Sequence, residues 1–319
     1  GVLQPNIDPW EKWGEGVESK WNSYDRQFSL LTSETSGFEG SDLDLVVWPE
    51  TAIPFYLLHP SATPYRQRLQ EMVDDLGVPI FTGMPHAVYF DSARAPVTAR
   101  PTQQPGVRVD YYNAATLFLP RQEPAPVYKK MILVPFAERI PNAEVFSFLI
   151  EPLKWGVGIS GWGKGSDTVV YTLPTRNGIT THFSAMICYE SIFPALVRQF
   201  VLKGGEFLVI ITNDSWYGAT SGPYQHAAFA TLRAVETRRW IVRCANGGIS
   251  GLVDPSGRMH QETELFRQTR FTGTIMPSKE LTFYARNGDL IGPFSIGVSV
   301  VLVGAAAVTW LLKRKKKRE

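Results

Sequence analysis

Ser184-Ala-Met-Ile-Cys188-Tyr-Glu190 is the stretch on which the reading of this chain turns. A short apolar run reads as a strand, and it stops abruptly at a thiol and an acid. Two distant segments carry what a reactive thiol needs. Val46-Val-Trp-Pro-Glu50-Thr-Ala-Ile-Pro54 supplies a carboxylate, and Tyr128-Lys-Lys130-Met-Ile-Leu-Val-Pro-Phe-Ala-Glu138 supplies an ammonium and a second carboxylate. Each follows a β-like apolar run, and more than fifty residues separate each from the next, so only the fold can bring them together.

The chemistry explains why these residue types belong together. A thiol attacks poorly until it loses its proton, and a carboxylate at Glu50 would act as its general base. Attack on a carbonyl drives negative charge onto oxygen, which a fixed ammonium at Lys130 would stabilise more in the tetrahedral state than in the ground state. Singly, each residue has an ordinary reading. A cysteine after an apolar strand is often a small core residue, Glu50 could be an acid at a helix N-terminus, and Lys130 could be solvated. Their coincidence favours a site. Cys244, in Trp240-Ile-Val-Arg-Cys244-Ala-Asn, has no adjacent acid and reads as core.

The chain has 319 residues, 44% hydrophobic and 19% charged, enough to bury a sizeable core. Two cysteines make no disulfide framework. The five histidines, His59, His86, His182, His226 and His260, are scattered without zinc-ligand spacing, so the sequence calls for no metal or other cofactor. The net charge of +2 hides an asymmetry: without the last seven residues the chain holds 26 basic and 29 acidic residues. A mildly acidic body offers no general field for nucleic acid, and none is expected as a partner.

Leu290 to Leu312 is a 23-residue stretch without a charge. As a helix it would be about 34 Å long, enough for a hydrocarbon core of about 30 Å. The basic run Lys313 to Arg318 follows it, which predicts a transmembrane helix with a cytoplasmic tail and a body on the opposite face. A buried core helix with a solubilising tail is the competing reading. The expected divisions are a catalytic domain over 1–285, a membrane helix over 286–312 and a basic tail over 313–319. Gly1 to Ile7 already reads as a strand, with no initiator Met or signal peptide, which predicts that membrane segments precede these residues.

Along the body, helices are expected over Trp10–Leu31, Pro60–Leu76 and Gly222–Arg239. Strands are expected over Leu43–Trp48, Val78–Met84, Val109–Leu119, Glu206–Thr212, Trp240–Ala245, Ser250–Val253 and Phe271–Ile275. Asp91 to Val107 reads as a hairpin insertion or surface loop. The alternation points to an α/β domain. Val145 to Ser166 is apolar, aromatic and broken by glycine, and misses the phosphate-loop pattern because Gly165 follows Lys164. It is expected to form an apron whose Phe146, Phe148, Trp155 and Trp162 are partly exposed beside the site. Asn213-Asp-Ser matches a glycosylation acceptor formally, but the surrounding run favours a buried strand end.

Trp48-Pro-Glu50, Lys130 to Glu138, Ile187-Cys188-Tyr-Glu190, Asn213-Asp-Ser-Trp216-Tyr-Gly and Gly222-Pro-Tyr-Gln-His226 together resemble the apolipoprotein N-acyltransferases of the nitrilase superfamily. The resemblance implies a nitrilase-like α-β-β-α sandwich with a C-terminal transmembrane helix. It carries the catalytic glutamate, lysine and cysteine onto Glu50, Lys130 and Cys188, where the eight-residue step to Glu138 selects Lys130 over Lys129. Glu138 becomes a supporting carboxylate, Tyr189 and Glu190 shape the site, and Trp48, Trp155, Trp162, Asn213 and Trp216 are candidates for touching substrate. The implied reaction passes a fatty acyl group from a membrane phospholipid, through a cysteine thioester, to the N-terminal amine of an S-diacylglyceryl cysteine on an apolipoprotein. The implied location is a bacterial inner membrane, with the catalytic domain extracytoplasmic. Ala137 and Gly247 depart mildly from the family's usual Gly and Thr. A membrane-tethered amidase acting on a small carbon–nitrogen substrate would share the same three residues, and a non-catalytic envelope scaffold would leave them unexplained.

Overall fold

The computed structural model describes residues 1–12, 24–139 and 161–316. Six short and long strands come first: β1 (Val2–Gln4), β2 (Val46–Val47), β3 (Ile80–Asp91), β4 (Arg100–Pro101), β5 (Val107–Phe118) and β6 (Tyr128–Lys129). Six more follow in the second half: β7 (Tyr171–Pro174), β8 (Thr180–Ile187), β9 (Phe207–Thr212), β10 (Ile241–Ala245), β11 (Gly251–Val253) and β12 (Met259–His260). A last strand, β13 (Thr269–Phe271), returns to the first sheet. The helices are α1 (Pro9–Lys12), α2 (Tyr24–Ser36), α3 (Thr63–Leu76), α4 (Pro194–Leu202), α5 (Gly222–Thr237), α6 (Phe283–Asn287) and α7 (Ile291–Lys316).

Two sheets result. One runs β13-β1-β2-β3-β5-β4 with β6 paired to β5, and the other runs β12-β11-β10-β9-β8-β7. Their alternating residues divide the interior. Val2, Val47, Phe81, Ala115 and Leu117 of the first sheet share one core with Phe183, Ala185, Ile187 and Val209 of the second. Phe81 meets Phe183 edge-on with ring centroids 5.4 Å apart and Tyr171 at 5.2 Å. The opposite residues of the first sheet, Leu3, Val46, Trp48 and Ile80, pack with Phe28 and Leu31 of α2 and Leu69 and Val73 of α3 in a second core. Leu196, Val197 and Phe200 of α4 and Ala230 and Ala234 of α5 cover the other sheet. The layers are therefore α-β-β-α, as the resemblance implied.

The strands β1, β2 and β3 run parallel, as do β8, β9 and β10. Parallel neighbours place their C-terminal ends along one edge, and there Glu50 follows β2 while Cys188 follows β8. Several element bounds differ from the sequence reading. Of the helix expected over Trp10–Leu31, the described residues show α1 (Pro9–Lys12) and α2 (Tyr24–Ser36), and residues 13–23 lie outside them. The strand expected over Leu43–Trp48 is only Val46–Val47, and Pro49, without an N–H, ends the ladder on its C-terminal side. The closing strand falls at Thr269–Phe271, two residues earlier than expected, where the register to Gln4, Leu3 and Val2 fixes it. The strand β7 and helices α4 and α6 were not anticipated, being short segments without long-range periodicity.

The last helix, α7, is fully exposed along its apolar span, Ile291–Arg314. A core helix would be buried, so this exposure removes the soluble-core reading and leaves a helix whose length and composition suit a bilayer. Arg314 lies over the Trp310 ring at 4.9 Å, at the basic end.

Candidate active site

Glu50 sits in a tight turn after β2. The Trp48 N–H still donates to the Phe81 carbonyl at 2.8 Å, but Pro49 ends the pairing and Thr51 enters the left-handed region at φ 45°. Gly83 on the neighbouring strand makes this possible, since a β-carbon there would lie 2.6 Å from the Thr51 nitrogen and 2.8 Å from the Glu50 Cα. Lys12 closes the turn from beneath, donating to Thr51 Oγ1 at 3.1 Å and to the Glu50 carbonyl at 3.4 Å.

The side chain of Glu50 is buried, and each of its oxygens is held. Oε2 accepts from the Asn213 backbone N–H at 2.9 Å, and Oε1 from Asn113 Nδ2 at 2.7 Å and from Lys130 Nζ at 3.3 Å. Lys130 follows β6 and is anchored by its own N–H on the Asn113 carbonyl at 2.8 Å. Its ammonium also donates to Glu138 Oε1 at 2.9 Å, while Glu138 Oε2 accepts from the Val134 N–H at 2.8 Å. Burial alone would push the Lys130 ammonium down, but Glu50, Glu138 and Cys188 outweigh it and hold its pKa well above the ordinary lysine range. It is a fixed positive charge.

Cys188 stands at the end of β8 with φ 53°, a left-handed conformation costly for a residue with a β-carbon. The chain turns there into a 3₁₀ segment, Cys188–Ile192. Burial pushes the thiol's pKa up, and Glu50 and Asp214 add to that, while Lys130 and a Thr212 hydrogen bond oppose it. The net shift is upward, so the resting group is a thiol that needs a base during attack. Both cysteines are free.

Glu190 ties the two halves of the site. Its Oε2 accepts from the Ile187 N–H at 2.8 Å, and its Oε1 from the Tyr128 hydroxyl at 2.6 Å and from the N–H groups of Met131 at 2.6 Å and Ile132 at 3.1 Å. One carboxylate thus fastens the turn carrying Cys188 to the segment carrying Lys130.

The remaining candidates sort by position. Asn213 is buried and gives its backbone N–H to Glu50, which fits the strand-end reading rather than a glycan acceptor. Its Nδ2 and the Asn113 Oδ1 have no protein partner among the described residues, leaving a donor and an acceptor open beside Glu50. Trp162 is half-buried, and its N–H donates to the Glu138 carbonyl at 3.2 Å, so the end of the expected apron does reach the site. Trp216 is half exposed, and Tyr189 is half-buried with its ring edge-on to Phe193. Phe146, Phe148 and Trp155 lie outside the described residues. Trp48 is a correction. It is fully buried, packs under α2 and donates to Thr35 Oγ1 at 2.9 Å, so it supports the Glu50 turn from the core and cannot touch a substrate.

Sequence reasoning missed Asn113, Lys12 and Tyr217. Asn113 lies inside a strand, where an asparagine with both neighbours apolar or small was the available signal. The Tyr217 phenol is pushed up to about 12, first by burial and then by Cys188, Asp214 and Glu50, which puts it within electrical reach of the thiol. Sulfur, carboxylate and imidazole atoms of Cys188, Asp214 and His226 lie within 4.8 Å of one another. Metal ions use such groups, but here the Arg243 guanidinium donates to Asp214 at 2.8 Å and already supplies the cation.

Two facing sheets thus bring a thiol, a lysine and two carboxylates to one strand edge. The chain belongs to the carbon-nitrogen hydrolase family, whose sequence pattern matches residues 4–278. Within it, the chain is similar to the apolipoprotein N-acyltransferase of Chlorobaculum tepidum, at 40% identity over 311 residues, covering 96% of this chain and 56% of that protein. It is also similar to the apolipoprotein N-acyltransferase of Geobacter metallireducens, at 31% identity, covering 99% of this chain and 54% of that one. The chain therefore spans about half the length of the curated relatives it matches. Among solved structures, an amidase from Nesterenkonia sp. AN1 shares the fold, with TM-score 0.51 at 17% identity over 76% of this chain and 81% of that one.

Proposed function

We propose that this chain carries the catalytic site of a lipoprotein N-acyltransferase that moves a fatty acyl group from a membrane phospholipid to the N-terminal amine of an S-diacylglyceryl cysteine. The observation that carries the reading is the pairing of this buried thiol–lysine–carboxylate cluster with α7, whose apolar span is not buried by any of the described residues. The similarity to proteins named apolipoprotein N-acyltransferase supports it, and so does the basic run beyond the helix. Residues 1–285 form the catalytic domain in this reading, 286–312 the membrane helix and 313–319 a cytoplasmic tail. The catalytic domain faces the extracytoplasmic side of a bacterial inner membrane.

In the first half-reaction, Glu50 takes the Cys188 proton as the sulfur attacks the ester carbonyl carbon. The carbonyl oxygen becomes an oxyanion beside Lys130, whose charge Glu138 keeps in place. Collapse breaks the ester C–O bond, Glu50 returns the proton to the departing alkoxide, and a lysophospholipid leaves. In the second half, Glu50 takes a proton from the incoming amine, which attacks the thioester. The sulfur departs and regains the proton, and an amide remains. Water competes for the thioester, so the reaction requires that water be kept from it.

Mass spectrometry of the Cys188 peptide after incubation with phospholipid tests this. The expected product is a peptide heavier by one fatty acyl group, with lysophospholipid released in equal amount. Release of ammonia from soluble amides, with no acyl adduct, would assign the site to the amidase reading. Acyl transfer at the parental rate by Cys188→Ala would remove covalent catalysis altogether.

A further inference from the structure

Around the carbonyl of Cys188 lies a second polar cluster that touches none of Glu50, Lys130 and Glu138. It comes from three elements: Asp214 in the turn after β9, His226 in the first turn of α5, and Arg243 in β10. All three side chains are buried, at 0%, 3% and 0% exposure of the residue. Asp214 Oδ1 lies 2.7 Å from His226 Nδ1, and Asp214 Oδ2 accepts from Arg243 NH2 at 2.8 Å. The Thr212 hydroxyl donates to Asp214 Oδ1 at 2.8 Å. Against the far side packs Gly248, where a β-carbon would stand 2.4 Å from Asp214 Oδ2. Nothing bulkier than glycine fits.

With Nδ1 fixed on a carboxylate, the imidazole cannot swing, and its other nitrogen has a set direction. Nε2 lies 3.1 Å from the Cys188 carbonyl oxygen and 3.1 Å from Ser191 Oγ, and that hydroxyl donates to the same carbonyl at 2.9 Å. The carbonyl so gripped belongs to the left-handed residue of the site. Such a conformation persists only where its surroundings over-determine it, and the strain calls for a restraint of this kind. Burial alone would raise the Asp214 carboxyl, but Arg243 and His226 outweigh it and keep it well below the usual carboxylate range, so the anchor stays ionised.

We propose that Asp214, His226 and Arg243 are positioning residues that hold the Cys188 backbone in its left-handed turn and so aim its sulfur at the scissile carbonyl. The inference rests on Cys188 being the nucleophile. It adds a requirement that the lysine and the two carboxylates do not meet, since they govern proton and charge while this network governs where the sulfur stands.

The experiment compares His226→Asn and His226→Gln in the intact protein, following iodoacetamide alkylation of Cys188 by peptide mass spectrometry with buried Cys244 as the internal control of folding. Asparagine can keep the Asp214 contact but cannot reach the Cys188 carbonyl. Glutamine can place an amide near the Nε2 position. We expect the asparagine variant to slow Cys188 alkylation and to lower kcat for acyl transfer by about 10²-fold with KM nearly unchanged, while Cys244 stays protected. Glutamine should recover much of the loss. Equal, parental alkylation rates in both variants would overturn the proposal, as would unfolding of both, revealed by alkylation of Cys244, because the network would then serve stability alone. Failure of the parent itself to acylate Cys188 would instead count against the function proposed above, and leaves the alkylation comparison to decide the positioning.

Discussion

Cys188 and Cys244 are both buried thiols whose pKa burial pushes up, and what separates them is their neighbours. Cys244 donates to the carbonyls of Leu3 at 3.2 Å and Val47 at 3.3 Å, stitching β10 to the opposite sheet, and no carboxylate is among the groups that shift it. Cys244→Ala should therefore keep acyl transfer near the parental rate and lower stability by about 1 kcal/mol for a lost hydrogen bond and a small void. Glu50→Gln should keep the fold at a cost of about 1–3 kcal/mol, since its amide nitrogen faces a buried donor, and should slow thioester formation by about 10²–10⁴-fold because the base is gone. A rate for Glu50→Gln within a few-fold of the parent, measured by single-turnover acylation, would remove Glu50 as the base. Lys12 gives a prediction in pH. Burial lowers its pKa from 10.5 to about 7, with Glu50 opposing. Its folded value lies below its unfolded one, so between those limits the unfolded chain binds the extra proton and stability rises with pH. Thermal melts across that window should show the rise, and Lys12→Met should flatten it; an unchanged slope would mean that Lys12 stays charged in the fold.

At the scale of elements, one side chain joins the two segments that carry Cys188 and Lys130. Glu190 accepts from the N–H groups of Ile187, Met131 and Ile132 and from the Tyr128 hydroxyl. Removing it leaves buried donors without an acceptor, at about 1–3 kcal/mol each. Glu190→Ala should lower the melting temperature sharply and abolish thioester formation together, since the Lys130 segment and the Cys188 turn lose their common anchor. Loss of activity with an unmoved melting temperature would show that Glu190 acts on substrate rather than on the fold. The element reading was partly legible in advance. The long hairpin of β3 and β5 was visible from its apolar alternation on either side of the Pro-rich stretch, and its twelve-residue register holds Asn113 opposite Pro85. Its exact extent was not, because the strand ends twist out into polar, exposed residues whose pairing depends on β4. The two-residue β2 shows the converse, since a six-residue stretch read as a strand pairs over only Val46 and Val47 before the Glu50 turn.

For the molecule as a whole, the catalytic sandwich and α7 make separate demands. None of the span Ile291–Arg314 is buried, so the two sheets do not draw stability from it. A chain ending after Asn287 should keep the parental secondary structure by circular dichroism and keep Cys244 shielded from alkylation, yet fail to float with phospholipid vesicles. Vesicle binding that survives the truncation would assign the membrane contact to the body instead. The sequence by itself determined the parts that local chemistry announces. These are an uncharged run long enough for a bilayer with a basic end, alternating strands and helices, and a thiol, a lysine and two acids each placed just beyond an apolar strand. The resemblance to the N-acyltransferases adds the preference for Lys130 over Lys129, through the eight-residue step to Glu138. Only the tertiary structure decided that Trp48 is core, that Asn113 and the Asn213 N–H grip Glu50, that Lys12 lies beneath that turn, and that Asp214, itself held by Arg243, braces His226 against the Cys188 carbonyl. Those contacts join residues up to 163 positions apart. A strand pattern tells which face a residue takes, but the crossing of two sheets decides what it meets there, and that crossing is written in no single stretch of the chain.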